Sequence, residues 1–295
     1  MFGLYLGYYL LDKNKISVSQ FDSLVEQFHK TRAKLGLIAI SEKLLTAKQA
    51  EEINKIQKSA DQRFGDIAIE KGYLLEEEVT HLLNLQGNSY HRLVQLLTEQ
   101  CLLTLGEIEA CLHEYQLENH YTDSEMDALK SGDIDRIIPV FVDTDAPHTG
   151  ELISLVIRNI IRFIDSDVLL KKAYTVKDYS FSGLAFQQMA GDHTIFMGLA
   201  GSSKALLEIA RPFARESFEN MDEDAFDSVC EFINCINGLH ASKLSRDEIQ
   251  LDMMPPGYYQ DGRLTTGGNI CLVPILLHGE RVDIVVVADA EIVVN

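Results

Sequence analysis

Apolar and polar positions repeat through the first part of the chain with a period of 29 residues, four times and without gaps. One apolar column reads Ile16, Leu45, Leu74 and Leu103, and the next column reads Ser17, Thr46, Leu75 and Thr104. Three positions further on stand Gln20, Gln49, Glu78 and Glu107. A hydroxyl followed at that spacing by Gln or Glu is a capping box, in which the hydroxyl accepts from a first-turn amide and the longer side chain reaches back. Copies one, two and four therefore start a helix there, and copy three lacks the hydroxyl. Apolar residues at helical spacing follow, such as Val79, Leu82 and Leu83. Upstream lies a glycine column, Gly7, Gly36 and Gly65, replaced by Val94 in copy four. Each unit is predicted to be a helical hairpin too small to bury its apolar face alone, so the four stack, with the glycines as helix stops or close-packing positions.

The pattern changes after Gln116. Residues 121–145 read as a linker, with a charged stretch, a short apolar run, and then proline and glycine. Within it Thr122 and Glu125 predict a short capped helix, and 134–142 an edge strand in which Pro139 is tolerated only unpaired. Further on, 151–164, 203–213 and 222–242 have helical spacing. Segments 179–187 and 193–198 read as a hairpin turned at Ala190-Gly191-Asp192, and 269–277 with 281–288 as another turned at His278-Gly279-Glu280. The expected fold class is α+β: an all-α module of four helical units over 1–120, and over 146–295 an antiparallel sheet with packed helices.

Composition narrows the function. The 295 residues are 46% apolar and carry 45 acidic against 26 basic side chains, a formal charge of −19. That charge repels phosphate backbones and anionic lipid, which disfavours general nucleic-acid or membrane-surface binding. Residues 1–120 hold 17 acidic and 12 basic side chains and the remainder 28 and 14, so acidity is concentrated in the second domain. The C-terminal apolar run over 282–294 is interrupted by Asp283, Asp289 and Glu291, so no membrane insertion is expected. The apolar start, 1–11, has no basic residue ahead of it and no small-residue cleavage pattern, and does not read as a signal peptide. Five cysteines without CxxC spacing fit reduced thiols in a cytoplasm better than a disulfide framework or a zinc site. The expectation is a cytoplasmic protein with no metal or cofactor of its own.

The segment over 222–242 carries the most specific pattern. Phe226, Val229, Cys230, Ile233 and Ile236 form its apolar stripe, while Asp227, Glu231 and Asn234 fall on one other face. A carboxylate and a carboxamide so aligned could orient a water, although Asp, Glu and Asn are also the default residues of a solvated face. Asp227-x3-Glu231-x2-Asn234, followed after 21 intervening residues by Pro256, resembles the signature of the chemotaxis phosphatases CheC, CheX and FliY. Gly267-Gly268-Asn269 and the closing hairpin are similar too, so the resemblance covers about 143–295. It implies hydrolysis of the aspartyl phosphate of a CheY-type response regulator. Asn234 would orient the attacking water, Glu231 would pair with the receiver's active-site lysine, and Asp227 and Pro256 would support them. The magnesium ion would belong to the receiver. The first helix of this domain has Leu152 and Val156 where CheC repeats its acidic positions, so the single site resembles CheX, which implies a homodimer through sheet edges.

The repeats carry a second resemblance. The pattern closes with Gln57 in copy two and Gln86 in copy three, with a spacer at 58–62, and Arg63-Phe64-Gly65 opens copy three. This is similar to the tandem MshEN motif of type II secretion and pilus ATPases, whose better-known members bind cyclic di-GMP. The resemblance implies ligand contacts from Lys34, Leu35, Gly36 and Gln57 of copy two and from Arg63, Phe64, Gly65 and Gln86 of copy three. Copy two departs from the motif with Lys34 for Arg, Lys43 for Gly and Asn54 for an apolar residue. Lysine lacks the planar, bidentate reach of arginine.

Other chemistry is thinly represented. His193, His240 and His278 lack metal-ligand spacing, the segment from Gly198 to Lys204 lacks P-loop spacing and reads as a turn capping a helix, and Cys230 and Cys235 splay around their helix. The combined expectation is a phosphatase acting on a phosphorylated CheY-like regulator, with the repeats as a regulatory input. The alternative is a non-catalytic adaptor that docks a receiver and binds cyclic di-GMP or a secretion or pilus partner through the repeats.

Overall fold

The structure, a computed structural model, describes residues 1–28, 30–57, 62–144, 146 and 148–295. The chain divides into two compact units, Met1–Gly132 and Asp133–Asn295. In the first, the 29-residue period becomes four helix pairs: α1 (Phe2–Asp12) with α2 (Val18–Phe28), α3 (Leu35–Ser41) with α4 (Ala47–Gln57), α5 (Phe64–Glu70) with α6 (Glu76–Leu85), and α7 (Ser89–Glu99) with α8 (Leu105–Glu118). The ends of the first helices and the starts of the second keep the period. Capping sets those starts. Ser17 N donates to Gln20 Oε1 at 2.7 Å and Gln20 N to Ser17 Oγ at 3.3 Å, and the Thr46–Gln49 and Thr104–Glu107 pairs repeat the arrangement. In copy three only the half without the hydroxyl remains, Leu75 N donating to Glu78 Oε2 at 2.7 Å.

Between the helices of each pair one residue turns left-handed: Asn14 (φ 54°), Lys43 (58°), Gly72 (67°) and Cys101 (53°). Lys43 thus makes in copy two the left-handed turn that Gly72 makes in copy three, at a cost of about 1–2 kcal/mol for its Cβ. Lys43→Gly is expected to stabilise this unit by up to about 1 kcal/mol, after the entropy glycine loses on folding, and to raise its melting temperature. The upstream glycines lie inside the first helices and are close-packing positions. A Cβ on Gly65 would stand 2.6 Å from Val79 Cγ1, and one on Gly7 2.9 Å from the Phe21 ring. Stacking buries Ile38, Ile53, Ile67 and Leu82 in one core shared by copies two and three. Of the spacer over 58–62, only Gln62 lies within the described residues.

The segment read as a linker folds. Helix α9 (Asp123–Ser131) starts on the Thr122–Glu125 capping box and closes the first unit, and α10 (Ile134–Phe141) opens the second. The edge strand expected over 134–142 is therefore a helix. Ile134, Ile137, Ile138 and Phe141 recur at helical spacing, and Asp133 caps the start by accepting from Asp135 N at 3.0 Å. Pro139 forfeits only one intrahelical donor of so short a helix.

After α11 (Thr149–Phe163), the second unit is a sheet covered by helices. Its strands are β1 (Leu169–Leu170), β2 (Tyr174–Gly191), β3 (Thr194–Gly201), β4 (Leu251–Met253), β5 (Gly257–Leu277), β6 (Glu280–Ala288) and β7 (Ile292–Val294), with α12 (Ser203–Ala214) and α13 (Glu223–Leu244) between β3 and β4. The order is β1-β5-β6-β3-β2-β4, every pairing is antiparallel, and β7 joins β5. β2 also pairs with β5, from Tyr174↔Leu272 to Phe186↔Gly257, so β2, β3, β6 and β5 form a closed circuit. The first hairpin turns one to two residues later than expected, at Asp192-His193, and the last turns at His278 (φ 47°) and Gly279 (φ 87°), the two left-handed residues a tight hairpin needs. The edge strands β1 and β4 are two and three residues long, which leaves little unpaired backbone at either edge.

Two buried histidines make the fold acid-sensitive. Burial holds His91 in the first unit and His240 in the second at a pKa of about 4, below the usual 6.5. The unfolded chain binds protons there that the folded chain refuses, so the stabilisation is complete above about pH 6.5 and is lost as pH falls toward 4. Melting temperature measured from pH 7 to 4 is expected to fall, and His240→Met is expected to lose less over that window than the wild type.

Candidate functional site

Helix α13 begins where Asp222 accepts from Ala225 N at 3.1 Å. Its stripe of Phe226, Val229, Cys230, Ile233 and Ile236 is buried, with α12 and β2 as neighbours. Burial of that stripe leaves the opposite face outward: Asp227 and Glu231 are exposed and Asn234 is half-buried. Asn234 Nδ2 donates to Glu231 Oε2 at 3.3 Å, so the carboxamide and the carboxylate share one spot on the helix.

Beneath Asn234 lies Gln187 of β2, with 1% of its surface exposed. Its Nε2 donates to Asn234 Oδ1 and to the Met254 carbonyl, each at 2.8 Å, and its Oε1 accepts from Asn237 Nδ2 at 3.0 Å. Asn237 is fully buried one helical turn after Asn234. The sequence reading did not find Gln187 or Asn237. The available signal was Gln187 itself, a polar residue in phase with Ala185 and Met189 on the buried side of a strand.

The stretch that brings Pro256 alongside is fastened at several points. Met254 N donates to Gln188 O at 2.9 Å, Cys230 Sγ to Gly257 O at 3.4 Å, and Phe226 stacks on Tyr258 with ring centroids 4.4 Å apart. Pro255 and Pro256 have no N–H to donate, and β4 ends before them. Pro256 is exposed at the start of β5. Burial, with Asp227 nearby, pushes the Cys230 thiol up to about 11, and burial with Glu231 raises Cys235, which favours the protonated thiol at both over the reactive thiolate. Cys230 is buried and Cys235 exposed, on different sides of the helix. On α11, Leu152 and Val156 are buried and Asn159 Nδ2 donates to its own helix at Leu155 O, 2.8 Å away.

In the first unit, Lys34, Leu35, Gly36, Gln57, Phe64 and Gln86 line one cavity of about 770 Å³. Arg63 and Gly65 do not line it: Arg63 is the N-cap of α5 and Gly65 packs on Val79. Two of the cavity's polar side chains, Lys34 and Gln86, are engaged. Lys34 Nζ pairs with Glu99, Lys34 N donates to the buried Gln95 at 2.6 Å, and Gln86 Nε2 donates to Ala33 O at 2.8 Å.

Among the described residues no three His, Cys, Asp or Glu side chains converge as metal ligands, and no helix is long and apolar enough to cross a membrane. The family model described as "Chemotaxis phosphatase CheX" matches residues 184–287, so the C-terminal half contains a CheX domain, which spans α13 and Pro256. Solved structures similar to this chain include the chemotaxis protein CheX from Vibrio vulnificus, at 16% identity, 48% of this chain, 99% of that chain and a TM-score of 0.42. A chemotactic CheC-like protein from Shewanella oneidensis is 15% identical over 48% of this chain and 96% of that chain, with a TM-score of 0.43. The CheX–CheY–BeF3–Mg2+ complex from Borrelia burgdorferi matches at 15% identity, 46% of this chain, 94% of that chain and a TM-score of 0.34. No curated protein matches the chain.

Proposed function

We propose that this protein is a phosphatase for the aspartyl phosphate of a CheY-type response regulator in the cytoplasm. The observation that carries this reading is the outward pair of Glu231 and Asn234 on α13, with the Asn234 amide held from below by Gln187. The CheX domain that contains this helix is consistent with it. A phosphorylated receiver brings its own metal and acidic pocket, so its partner needs only to position water and steady the complex. An amide suits the first task better than a second carboxylate would, because a negative charge would repel the phosphoryl group. Glu231 suits the second by pairing with the receiver's active-site lysine.

The test is phosphate release from a phosphorylated CheY-type receiver with magnesium. Acceleration by the wild type that is absent in Glu231→Ala and Asn234→Ala would support the reading. A cognate receiver that binds but is not turned over would instead make the protein an adaptor.

A second reading concerns the repeats, and six residues around one cavity favour it. Cyclic di-GMP would enter that cavity, with Phe64 and Leu35 against its bases and Lys34, released from Glu99, on a phosphate. Added nucleotide is then expected to raise the melting temperature by several degrees, Lys34→Ala to cancel the rise, and Arg63→Ala to preserve it. No rise in the wild type would end this reading.

A further inference from the structure

The hydrogen bonds beneath Asn234 have a direction set by one group that cannot reverse. The Met254 carbonyl can only accept, so the Gln187 atom facing it is the NH2 group. That group's second hydrogen points at Asn234, which must therefore answer with its carbonyl oxygen. Gln187 Oε1, turned the other way, needs a donor and receives the Asn237 NH2. Reversing Asn237 would set two oxygens face to face, and its own Oδ1 is buried without a partner among the described residues in the orientation observed. Three amides are thus locked in one sequence from a backbone carbonyl outward, and the last places the Asn234 NH2 toward solvent beside Glu231.

We propose that Gln187 is the positioning residue of this site, acting through Asn234 by fixing its carboxamide with the NH2 group outward, and that Asn237 fixes Gln187 in turn. This rests on the phosphatase reading above. A free carboxamide rotates between two orientations that exchange donor for acceptor, and an incoming water or phosphoryl oxygen would meet the required one only part of the time. Gln187 removes that choice before the receiver arrives, which is preorganisation of the kind that separates a catalytic amide from a surface asparagine. The residue is buried and more than 40 positions away in sequence, so it touches neither receiver nor phosphate.

The experiment measures phosphate release from a phosphorylated CheY-type receiver by the full chain carrying Gln187→Met, Gln187→Glu, Asn234→Ala or Gln187→Met with Asn234→Ala. Affinity for the beryllofluoride-loaded receiver and melting temperature are measured alongside. Gln187→Met keeps the shape and removes the donor, and is expected to lower the turnover rate about 10- to 100-fold with affinity within roughly threefold of wild type. In the Asn234→Ala background the same change is expected to cost nothing further, because its effect runs through Asn234. Gln187→Glu sets a carboxylate against two carbonyl oxygens; it is expected to be as slow as Gln187→Met at neutral pH and to recover in part as pH falls, because the regained carboxyl proton can be donated to one of those two oxygens. This recovery also keeps the test decisive should Gln187→Met fold poorly. If wild type turns the receiver over, Asn234→Ala does not, and Gln187→Met retains full turnover, the positioning role is overturned while the phosphatase reading stands. A Gln187→Met loss that persists undiminished in the Asn234→Ala background would overturn it too. A wild type without turnover on a receiver that it binds overturns both.

Discussion

Replacing Asn234 with alanine is expected to reduce the acceleration of phosphate release by about 10²–10³-fold while leaving receiver affinity within roughly threefold, as removal of one preorganised donor does at other hydrolytic sites. The split matters more than the size. Asn234 is half-buried and spends its oxygen on Gln187, so it has little surface left with which to hold a partner, and its NH2 group lies beside Glu231. An adaptor would show the opposite split, with turnover absent throughout and affinity sensitive to the whole exposed face. Asn234→Asp sharpens the contrast. Gln187 can still donate to the new carboxylate, so the side chain stays in place, but the outward atom becomes an anionic oxygen that repels the phosphoryl group. Loss in Asn234→Asp as deep as in Asn234→Ala would show that the NH2 group is required, not merely a polar side chain of that shape. Measured turnover in Asn234→Ala close to that of the wild type would remove Asn234 from the mechanism, and turnover retained in Asn234→Asp alone would remove the requirement for its NH2 group.

The parts of this architecture that were readable in advance are those whose causes are local in sequence. The helix starts at Ser17, Thr46 and Thr104 follow from a hydroxyl and a partner three residues away, and the face shared by Asp227, Glu231 and Asn234 follows from helical geometry alone. The resemblance to the MshEN motif is read chiefly from copy three, yet the cavity is lined mainly by copy two. The motif records which residues a unit carries, whereas the cavity depends on how neighbouring units stack, with Phe64 reaching over Gly36. The segment from Ile134 to Phe141 was misread because its short apolar run reads as an edge strand with Pro139 tolerated in it, although the apolar spacing fits a helix. The far ends of β2 and β5 went unseen because they lie at the surface, where paired strands need no regular alternation. Gln187 was passed over for a different reason: a single amide on a buried strand face reads as an imperfection until the helix above it supplies the partner that explains it.

Charge reversal at Glu231 is expected to give the largest effect on binding. If Glu231 meets the active-site lysine of the receiver, Glu231→Lys replaces an attraction with a repulsion in a closed interface, where breaking one partner of such a pair costs about 2–5 kcal/mol. Affinity for the beryllofluoride-loaded receiver is then expected to fall by roughly 30- to 1,000-fold or more, most of it as faster dissociation. The net field changes little by comparison. Beyond residue 120 the chain holds 28 acidic and 14 basic side chains, so one reversal leaves the surface strongly acidic and long-range steering largely as it was. A fall confined to the dissociation rate therefore locates the lost interaction at Glu231 itself, whereas an equal fall in the association rate would mean that the residue acts through the general field. Glu231→Gln separates the charge from the hydrogen bond: its oxygen can still accept from the lysine, so the expected loss is smaller, and the affinity that remains is eroded less by added salt than that of the wild type. Wild-type affinity in Glu231→Lys would leave Asn234 and Gln187 without the neighbour proposed to bring a receiver to them.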